Sequence, residues 1–274
     1  PGKIQASKRG ITTWAAADAF FRAEIAKLKD APNLLAWYVC DEAPLPEIPL
    51  RQRLYSIYRE CDDDHSCWAV MHRLPRIREY LTICDVMGVD PYPVDGRPMS
   101  RVTNFANGVR VATRGDRAVW SVPQNFDWKW YNRPSTRGVP NRMPTAEEMS
   151  FINWCHIAHG ANGLMGYSFS AIYQEDGKRG SRADFPKHWK DICKSYADVK
   201  RLSDVLLSVE AVPQPPVTPP ETPVRMWRKD GRLYVLTCNA DSKPGKVSIP
   251  VGDAGLRIEA VEFGNAESVT VSDG

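Results

Sequence analysis

The chain has 274 residues, of which 43% are hydrophobic and 25% are charged, and its formal net charge is +3 at pH 7. These proportions are typical of a globular protein and argue against a disordered one. The small, dispersed positive charge argues against a nucleic-acid partner, and no apolar run approaches the ~20 residues that cross a membrane.

Residues 11–29 predict an amphipathic helix that Thr12 or Thr13 can cap, because their apolar side chains recur near a 3.6-residue period. Residues 34–40 follow as an almost unbroken apolar run, which is typical of a strand buried on both faces in a parallel sheet. The run ends at Asp41 and Glu42.

The same alternation of helix and strand continues along the chain. Thr145 and Glu148 have the spacing of a capping box and mark the start of one of the helices. Alternating helices and strands predict a parallel sheet wrapped by helices, with an open doubly wound sheet as the alternative. No glycine-rich phosphate loop follows any strand. The predicted helices are 49–60, 74–81, 98–114, 146–159 and 186–207, and the predicted strands are 67–71, 83–89, 118–122 and 163–169.

Three regions are expected: a barrel portion over 1–210 that carries the catalytic site, a proline-rich linker over 211–223, and a β-domain over 224–274. Apolar and polar residues alternate in the last region, which predicts a small antiparallel sandwich. Its predicted strands are 224–228, 232–239, 245–250, 256–263 and 267–272.

The cysteines do not form a disulfide framework, because they are odd in number and irregularly spaced. Cys61 and Cys67 flank a polar turn and could pair in an oxidising compartment. Together with His65 they could also ligate a metal, but a solvated turn explains them better. We expect no metal and no cofactor. The chain starts at Pro1 rather than Met, which suggests a processed or truncated product, and we expect a secreted or periplasmic location.

Polar and aromatic residues follow each predicted strand. In a parallel barrel, the residues after the strands meet at one mouth, where active sites lie. A mouth that combines carboxylates, amides and aromatic rings suits a polyhydroxylated substrate. The candidates are Asp41 and Glu42 after the first strand, His72 after the second, Asp90 and Tyr92 after the third, Gln124, Asn125, Asp127 and Trp128 after the fourth, and Tyr167 after the fifth. In the polar loop after the fourth strand, Trp128 and Trp130 favour stacking on a sugar ring, and Tyr92 could be a sugar platform or a core residue.

The stretch Leu35–Pro44 resembles the fourth-strand ending of TIM-barrel glycoside hydrolases related to the β-galactosidase and cellulase clan. The segments Asp85–Pro93, Val119–Phe126 and His159–Ser168 also resemble bacterial glycosidases of this type. The resemblance covers about 11–205. It implies an α/β fold: a partial (β/α)₈ barrel with strands four to eight, followed by a small antiparallel β-sandwich. It also implies that Glu42 is the catalytic acid/base.

The chain departs from that family in two ways. The first three strands of the barrel are missing, so we expect a homodimer or a partner chain that completes the barrel. The family's nucleophile is a Glu near the place of Gln124, and an amide cannot form the glycosyl-enzyme ester. Asp90 or Asp127 could take that role. Alternatively the substrate's own 2-acetamido group could do so, oriented by Asp41.

The sequence therefore predicts an enzyme, a glycoside hydrolase that cleaves O-glycosidic bonds of an oligo- or polysaccharide. Glu42, Asp41 and Asp90 are the predicted catalytic residues. Tyr92, Gln124, Asn125, Trp128, Tyr167 and His72 are the predicted substrate-binding residues. The alternative is a non-catalytic carbohydrate-binding or scaffold protein derived from an incomplete barrel.

Overall fold

The computed structural model describes residues 11–131, 138–173, 182–215, 222–240, 243–252 and 255–272. The strands are β1 Ala36–Asp41, β2 Ser66–Met71, β3 Val86–Val89, β4 Ala118–Ser121, β5 Gly163–Leu164, β6 Val224–Lys229 and β7 Arg232–Thr237. The α-helices are α1 Trp14–Leu28, α2 Ile48–Cys61, α3 Ile77–Tyr80, α4 Ser100–Thr113, α5 Ala146–Ala158, α6 Phe169–Tyr173, α7 Phe185–Arg201 and α8 Ser203–Leu206. Short 3₁₀ helices occupy Leu45–Glu47, Leu74–Arg76, Leu81–Ile83 and Trp128–Tyr131.

The first five strands form one parallel sheet whose spatial order is the chain order, β1-β2-β3-β4-β5. A doubly wound sheet reverses its strand order at a switch point, and this sheet does not. The strand order therefore rules out that alternative over these five strands. The structure is mixed α/β, with this parallel sheet and a small antiparallel sheet of β6 and β7.

The local signals at two helix starts explain where those helices begin. The Thr13 side chain accepts a hydrogen bond from the Ala16 N–H at 3.1 Å, which caps α1 as one of the two predicted threonines. Thr145 and Glu148 form the predicted capping box at the start of α5. A capping side chain satisfies backbone N–H groups that have no partner within the helix, so it fixes the start of the helix.

One face of the parallel sheet is covered by helices. Trp37, Val39 and Met87 of the strands pack with side chains of the helices in a continuous buried cluster. Ile25 of α1 and Ile57 of α2 belong to it. Nearly all of these side chains are buried because the helices present their apolar stripes to the sheet.

The opposite face of the sheet carries aromatic residues. Trp68, Val70, Val86 and Val122 form a second buried cluster, and Trp120 packs against it. A Cβ atom at Gly163 would lie 2.4 Å from the Trp120 ring, so only glycine fits beside that indole. This close approach explains a glycine in a strand, where it is otherwise unfavourable.

The chain folds as two compact units. One comprises the residues up to Tyr92 together with Asn104–Pro123 and Ala161–Gly166, and it contains the five-stranded sheet. The other comprises Pro93–Thr103, Gln124–Gly160 and the residues from Tyr167 onward. In the second unit, α5 packs against α7 and against the β6–β7 hairpin.

The C-terminal region differs from the expected sandwich. Val224–Lys229 and Arg232–Thr237 form an antiparallel hairpin, with Asp230 and Gly231 at positive φ in its turn. The described parts of 245–250, 256–263 and 267–272 contain no further strand, so those three predictions are wrong. Pro250, which has no backbone N–H to pair, ends the first of these segments, and the positive-φ glycines Gly252, Gly255 and Gly264 lie between the segments.

Two further expectations are corrected. The fifth strand was predicted over 163–169 but spans only Gly163–Leu164, because Phe169 already begins α6. Cys61 and Cys67 are free thiols and are not joined. Residues 216–221 of the predicted linker lie outside the described residues. None of the helices in the described ranges is long and apolar enough to span a lipid bilayer.

Candidate active site

Glu42 lies at the carboxyl end of β1, beside β2. Its backbone N–H donates to the Val70 carbonyl at 2.9 Å, and its φ of 46° is in the left-handed region. Residues other than glycine adopt this region rarely, and strained backbone of this kind clusters at functional sites. The strand also changes register between Tyr38 and Cys40, and such irregularities re-aim the side chains that follow. The Glu42 side chain is 39% exposed.

His72 follows β2 and meets Glu42. Its Nδ1 lies 2.9 Å from Glu42 Oε1, and its side chain is 37% exposed. The two atoms are close but do not meet hydrogen-bond geometry, and His72 Nδ1 has no hydrogen-bond partner within the described chain. The contact is an ion pair only when the imidazole is protonated. The structure thus brings together the residues predicted after the first and second strands.

Asp90 follows β3 and is only 6% exposed. Burial, a side-chain hydrogen bond with Glu42 and the nearby charges of Glu42 and Asp41 raise the pKa of Asp90 to about 9. Burial disfavours the charged form of a carboxyl group, and a like charge in contact disfavours it further. A carboxyl group perturbed in this way is a candidate for a functional role.

Tyr38 also faces this group and was not predicted from the sequence. Its pKa is raised well above its usual range by burial of the phenol, by the charge of Asp41 and by a hydrogen bond to Asp41. Its ring lies 4.7 Å from that of Trp68, centroid to centroid, at an interplanar angle of 34°. The signal that could have found it is the strand alternation, which sends Tyr38 to the face opposite Trp37 and Val39.

Tyr92 lies two residues after Asp90 and is partly buried. It packs against the aromatic face of the sheet that includes Trp68 and Val122. The predicted platform for a sugar ring is therefore in contact with apolar side chains of the sheet. Its substrate contact remains a prediction.

Gln124 belongs to the second unit and is completely buried. Its Oε1 accepts a hydrogen bond from the Val94 N–H at 2.9 Å, and its Nε2 donates to the Phe126 carbonyl at 3.1 Å. Nε2 also lies 3.4 Å from the Val94 carbonyl. Backbone groups therefore use the donors and acceptor of this amide, which explains why a polar side chain is stable there. Its predicted substrate contact stays a prediction.

Asp127, the second alternative for a nucleophile, is similarly engaged in the second unit. It is 2% exposed, and its Oδ1 accepts from the Lys129 N–H at 2.9 Å at the start of the 3₁₀ helix. Lys129 Nζ lies 3.3 Å from its Oδ2. Asn125 is 5% exposed, and its backbone N–H donates to the Tyr167 carbonyl at 2.7 Å.

Aromatic rings of the second unit form a cluster. Phe126 is buried and makes edge-to-face contacts with Trp128 at 4.8 Å and with Tyr167 at 5.6 Å. Tyr167 is 40% exposed, which leaves part of its ring accessible to a ligand. Trp130 is buried 5.7 Å from the His188 ring, so it is a packing residue and not the stacking platform that was expected.

Within the described residues, no three or more His, Cys, Asp or Glu side chains are arranged to hold a metal ion. The chemistry that the carboxyl and imidazole groups of Glu42, Asp90 and His72 offer is proton transfer. Two carboxyl groups in contact bind a proton more tightly than either does alone, because both cannot ionise without strong repulsion.

Comparisons with known proteins add little to this picture. No family model and no curated protein matches the chain. A solved structure from Bacteroides thetaiotaomicron VPI-5482, described as a "putative alpha-L-fucosidase", aligns with a TM-score of 0.49 at 7% sequence identity. The alignment covers 65% of this chain and 60% of that one, so the chain spans less than two thirds of that protein. A likeness at this level carries no argument about activity.

Proposed function

We propose that the protein is a glycoside hydrolase that cleaves O-glycosidic bonds of an oligo- or polysaccharide, with Glu42 as its general acid/base. The observation that carries this proposal is the contact of Glu42 with Asp90 and His72 at the carboxyl edge of a parallel sheet. Side chains that follow parallel strands form the active sites of barrel enzymes. A half-exposed carboxyl group next to a buried one meets the need for a proton donor to the leaving oxygen.

The contact between the two carboxyl groups restricts the mechanism. Glycosidases place their two carboxyl groups about 5–5.5 Å apart when they retain configuration and about 6.5–9.5 Å apart when they invert it. Glu42 and Asp90 are hydrogen-bonded, which is closer than either separation. We therefore propose that Asp90 assists Glu42 and is not the nucleophile. The substrate's own 2-acetamido group, oriented by Asp41, is the nucleophile that needs no second carboxyl group.

The barrel itself is also part of the proposal. We propose that the five strands correspond to strands four to eight of a barrel and that Tyr92, Asn125, Trp128 and Tyr167 bind substrate. In the described residues β1 pairs with β2 alone, and Tyr38 and Leu35 are 51% and 68% exposed. Exposed apolar side chains on an edge strand invite pairing with another strand. We propose that a second copy or a partner chain covers this edge, and measurement of the native mass tests that.

A carbohydrate-binding protein without catalysis is the second candidate. It is favoured by the same close contact of Glu42 and Asp90, because a pair acting from opposite sides of a sugar ring needs more space. The full engagement of Gln124 by backbone groups favours it too, since that side chain stands near the expected place of a nucleophile.

The test is a screen of aryl glycosides, including N-acetylhexosaminides, with the wild-type chain, Glu42→Gln and the exposed control Glu267→Gln. We expect Glu42→Gln to lower kcat/KM by about 10²–10⁴-fold, because the amide cannot donate the proton. The control should retain wild-type activity, and all three should unfold at similar temperatures. Equal hydrolysis by Glu42→Gln removes Glu42 from the mechanism. Sugar binding by calorimetry without hydrolysis of any substrate supports the second candidate.

A further inference from the structure

Three residues from consecutive strand ends touch in a row, His72–Glu42–Asp90. Glu42 is contacted by a half-exposed imidazole on one side and by a buried carboxyl group on the other. We propose that Glu42 and Asp90 hold one proton between them, that Asp90 keeps it in the resting protein, and that it passes to Glu42 when a glycosidic oxygen arrives. Asp90 is then a positioning residue for Glu42, an inference that rests on the proposed function only for its last step.

The environment of Asp90 explains why it keeps the proton. Its Oδ1 is buried and has no hydrogen-bond partner in the described part of the chain. An ionised Asp90 would therefore carry charge on an oxygen that nothing compensates, which is costly. The protonated form instead uses its O–H toward Glu42, whose half-exposed carboxylate is better solvated.

The charged groups around the pair act in the same direction. From β1, Asp41 adds a second negative charge near Asp90, and Tyr38 faces both Asp41 and Asp90. His72, which follows β2, is the basic group in contact, and it touches Glu42. The negative charges close to Asp90 favour its neutral form.

Every proton in the proposed reaction is accounted for. In the acid step the Asp90 O–H bond breaks as its proton moves to Glu42, and Glu42 passes that same proton to the leaving glycosidic oxygen as the bond from that oxygen to the sugar breaks. Both carboxylates are then ionised while the sugar carries positive charge, which offsets their repulsion. The water that completes hydrolysis bonds to the sugar and loses a proton. Glu42 accepts that proton, which restores one proton to the pair.

The first measurement needs no substrate. In the full chain with ¹³C-labelled aspartate carboxyl groups, we expect one carboxyl signal to stay protonated at pH 7 and to titrate above it. The signal should vanish in Asp90→Asn and should titrate at least about one pH unit lower in Glu42→Gln, because the like charge is gone. Asp63→Asn, which removes an exposed carboxyl group, should leave it unchanged. If every aspartate is ionised at pH 7, the proposal is overturned.

The second measurement is the pH profile of kcat/KM on a substrate from the screen. Asp90→Asn keeps a hydrogen-bond donor at Glu42 but cannot hold a transferable proton. Because the pair then has no Asp90 proton to draw on, we expect the alkaline limb to move down by about one pH unit or more, a roughly tenfold or greater loss on that limb. If the pH profile of Asp90→Asn is identical to that of the wild type, the shared proton is overturned, while the proposed hydrolase function is unaffected. Absence of hydrolysis overturns the function, and the carboxyl titration then decides the shared proton alone.

Discussion

Two groups of polar residues follow strands of the same sheet, and they use their hydrogen-bonding capacity differently. After β1, β2 and β3, the side chains of Glu42, His72 and Asp90 meet one another. In the loop after β4, Gln124 and Asp127 bond to backbone N–H and carbonyl groups of the second unit. A polar residue after a strand is therefore a candidate for chemistry only when some of its hydrogen-bond donors or acceptors are not used by the backbone.

Gln124→Glu gives the largest effect that we expect, and it tests the comparison directly. The new carboxylate would keep the bond from the Val94 N–H but would face the Phe126 and Val94 carbonyl oxygens without a donor. An uncompensated buried charge costs about 3–5 kcal/mol. We therefore expect the free energy of unfolding, measured by urea denaturation, to fall by about that amount.

The matched control for that variant is Gln52→Glu. Gln52 is exposed, and its Nε2 bonds only to the Thr82 hydroxyl at 3.0 Å, so we expect a change within about 0.5 kcal/mol. If the Gln124→Glu protein is stable and hydrolyses aryl glycosides faster than the wild type, our interpretation that Gln124 has a structural role is wrong. Gln124 would then act in the chemistry and would not be a structural residue.

Asp90→Asn is expected to change how stability depends on pH. The pKa of Asp90 is about 9 in the folded protein against an ordinary value of 3.8, so the folded state keeps a proton that the unfolded chain loses. The stability of the wild type therefore falls as pH rises from about 4 to about 9, by at most about 1.4 kcal/mol per pH unit from this group.

The measurement is urea denaturation of both proteins at pH 6 and at pH 8. Asn has no such titration, so the stability of Asp90→Asn relative to the wild type should rise between these two pH values by up to about 3 kcal/mol. The free energy of unfolding of Asp63→Asn should change between pH 6 and pH 8 by the same amount as that of the wild type. A constant difference between Asp90→Asn and the wild type would mean that Asp90 is ionised across this range.

Much of the fold could be predicted from local signals. The apolar runs located β1 to β4, and the threonine–glutamate spacing located the start of α5, because each of these features depends on residues close in sequence. The prediction of three further C-terminal strands was wrong, for a reason that the alternation of apolar and polar residues does not show. A strand forms only where a partner strand pairs with its backbone N–H and C=O groups, and the alternation of side chains does not show whether such a partner is present.

The site was predictable only in part. That Glu42, His72 and Asp90 follow consecutive strands could be inferred from the sequence, and the parallel sheet does bring them together. Two facts could not be inferred. The hydrogen bond between Glu42 and Asp90 joins residues far apart in sequence. The burial of Gln124 depends on Val94, which belongs to a different loop. Both are set by tertiary packing, which local patterns do not record.

Tyr38→Phe is the variant with the smallest expected effect, and it decides to which of the two groups Tyr38 belongs. The substitution removes the hydroxyl that bonds to Asp41 and keeps the ring contact with Trp68. The surroundings that raise the pKa of Tyr38 bury only part of it, since the residue is 51% exposed, so water can reach Asp41 in the variant and we expect urea denaturation to show a loss below about 1 kcal/mol. Tyr38→Ala, which also removes the ring, should cost about 1 kcal/mol more. A loss of about 3 kcal/mol in the Phe variant would instead mark the hydroxyl as a structural group like the Gln124 amide.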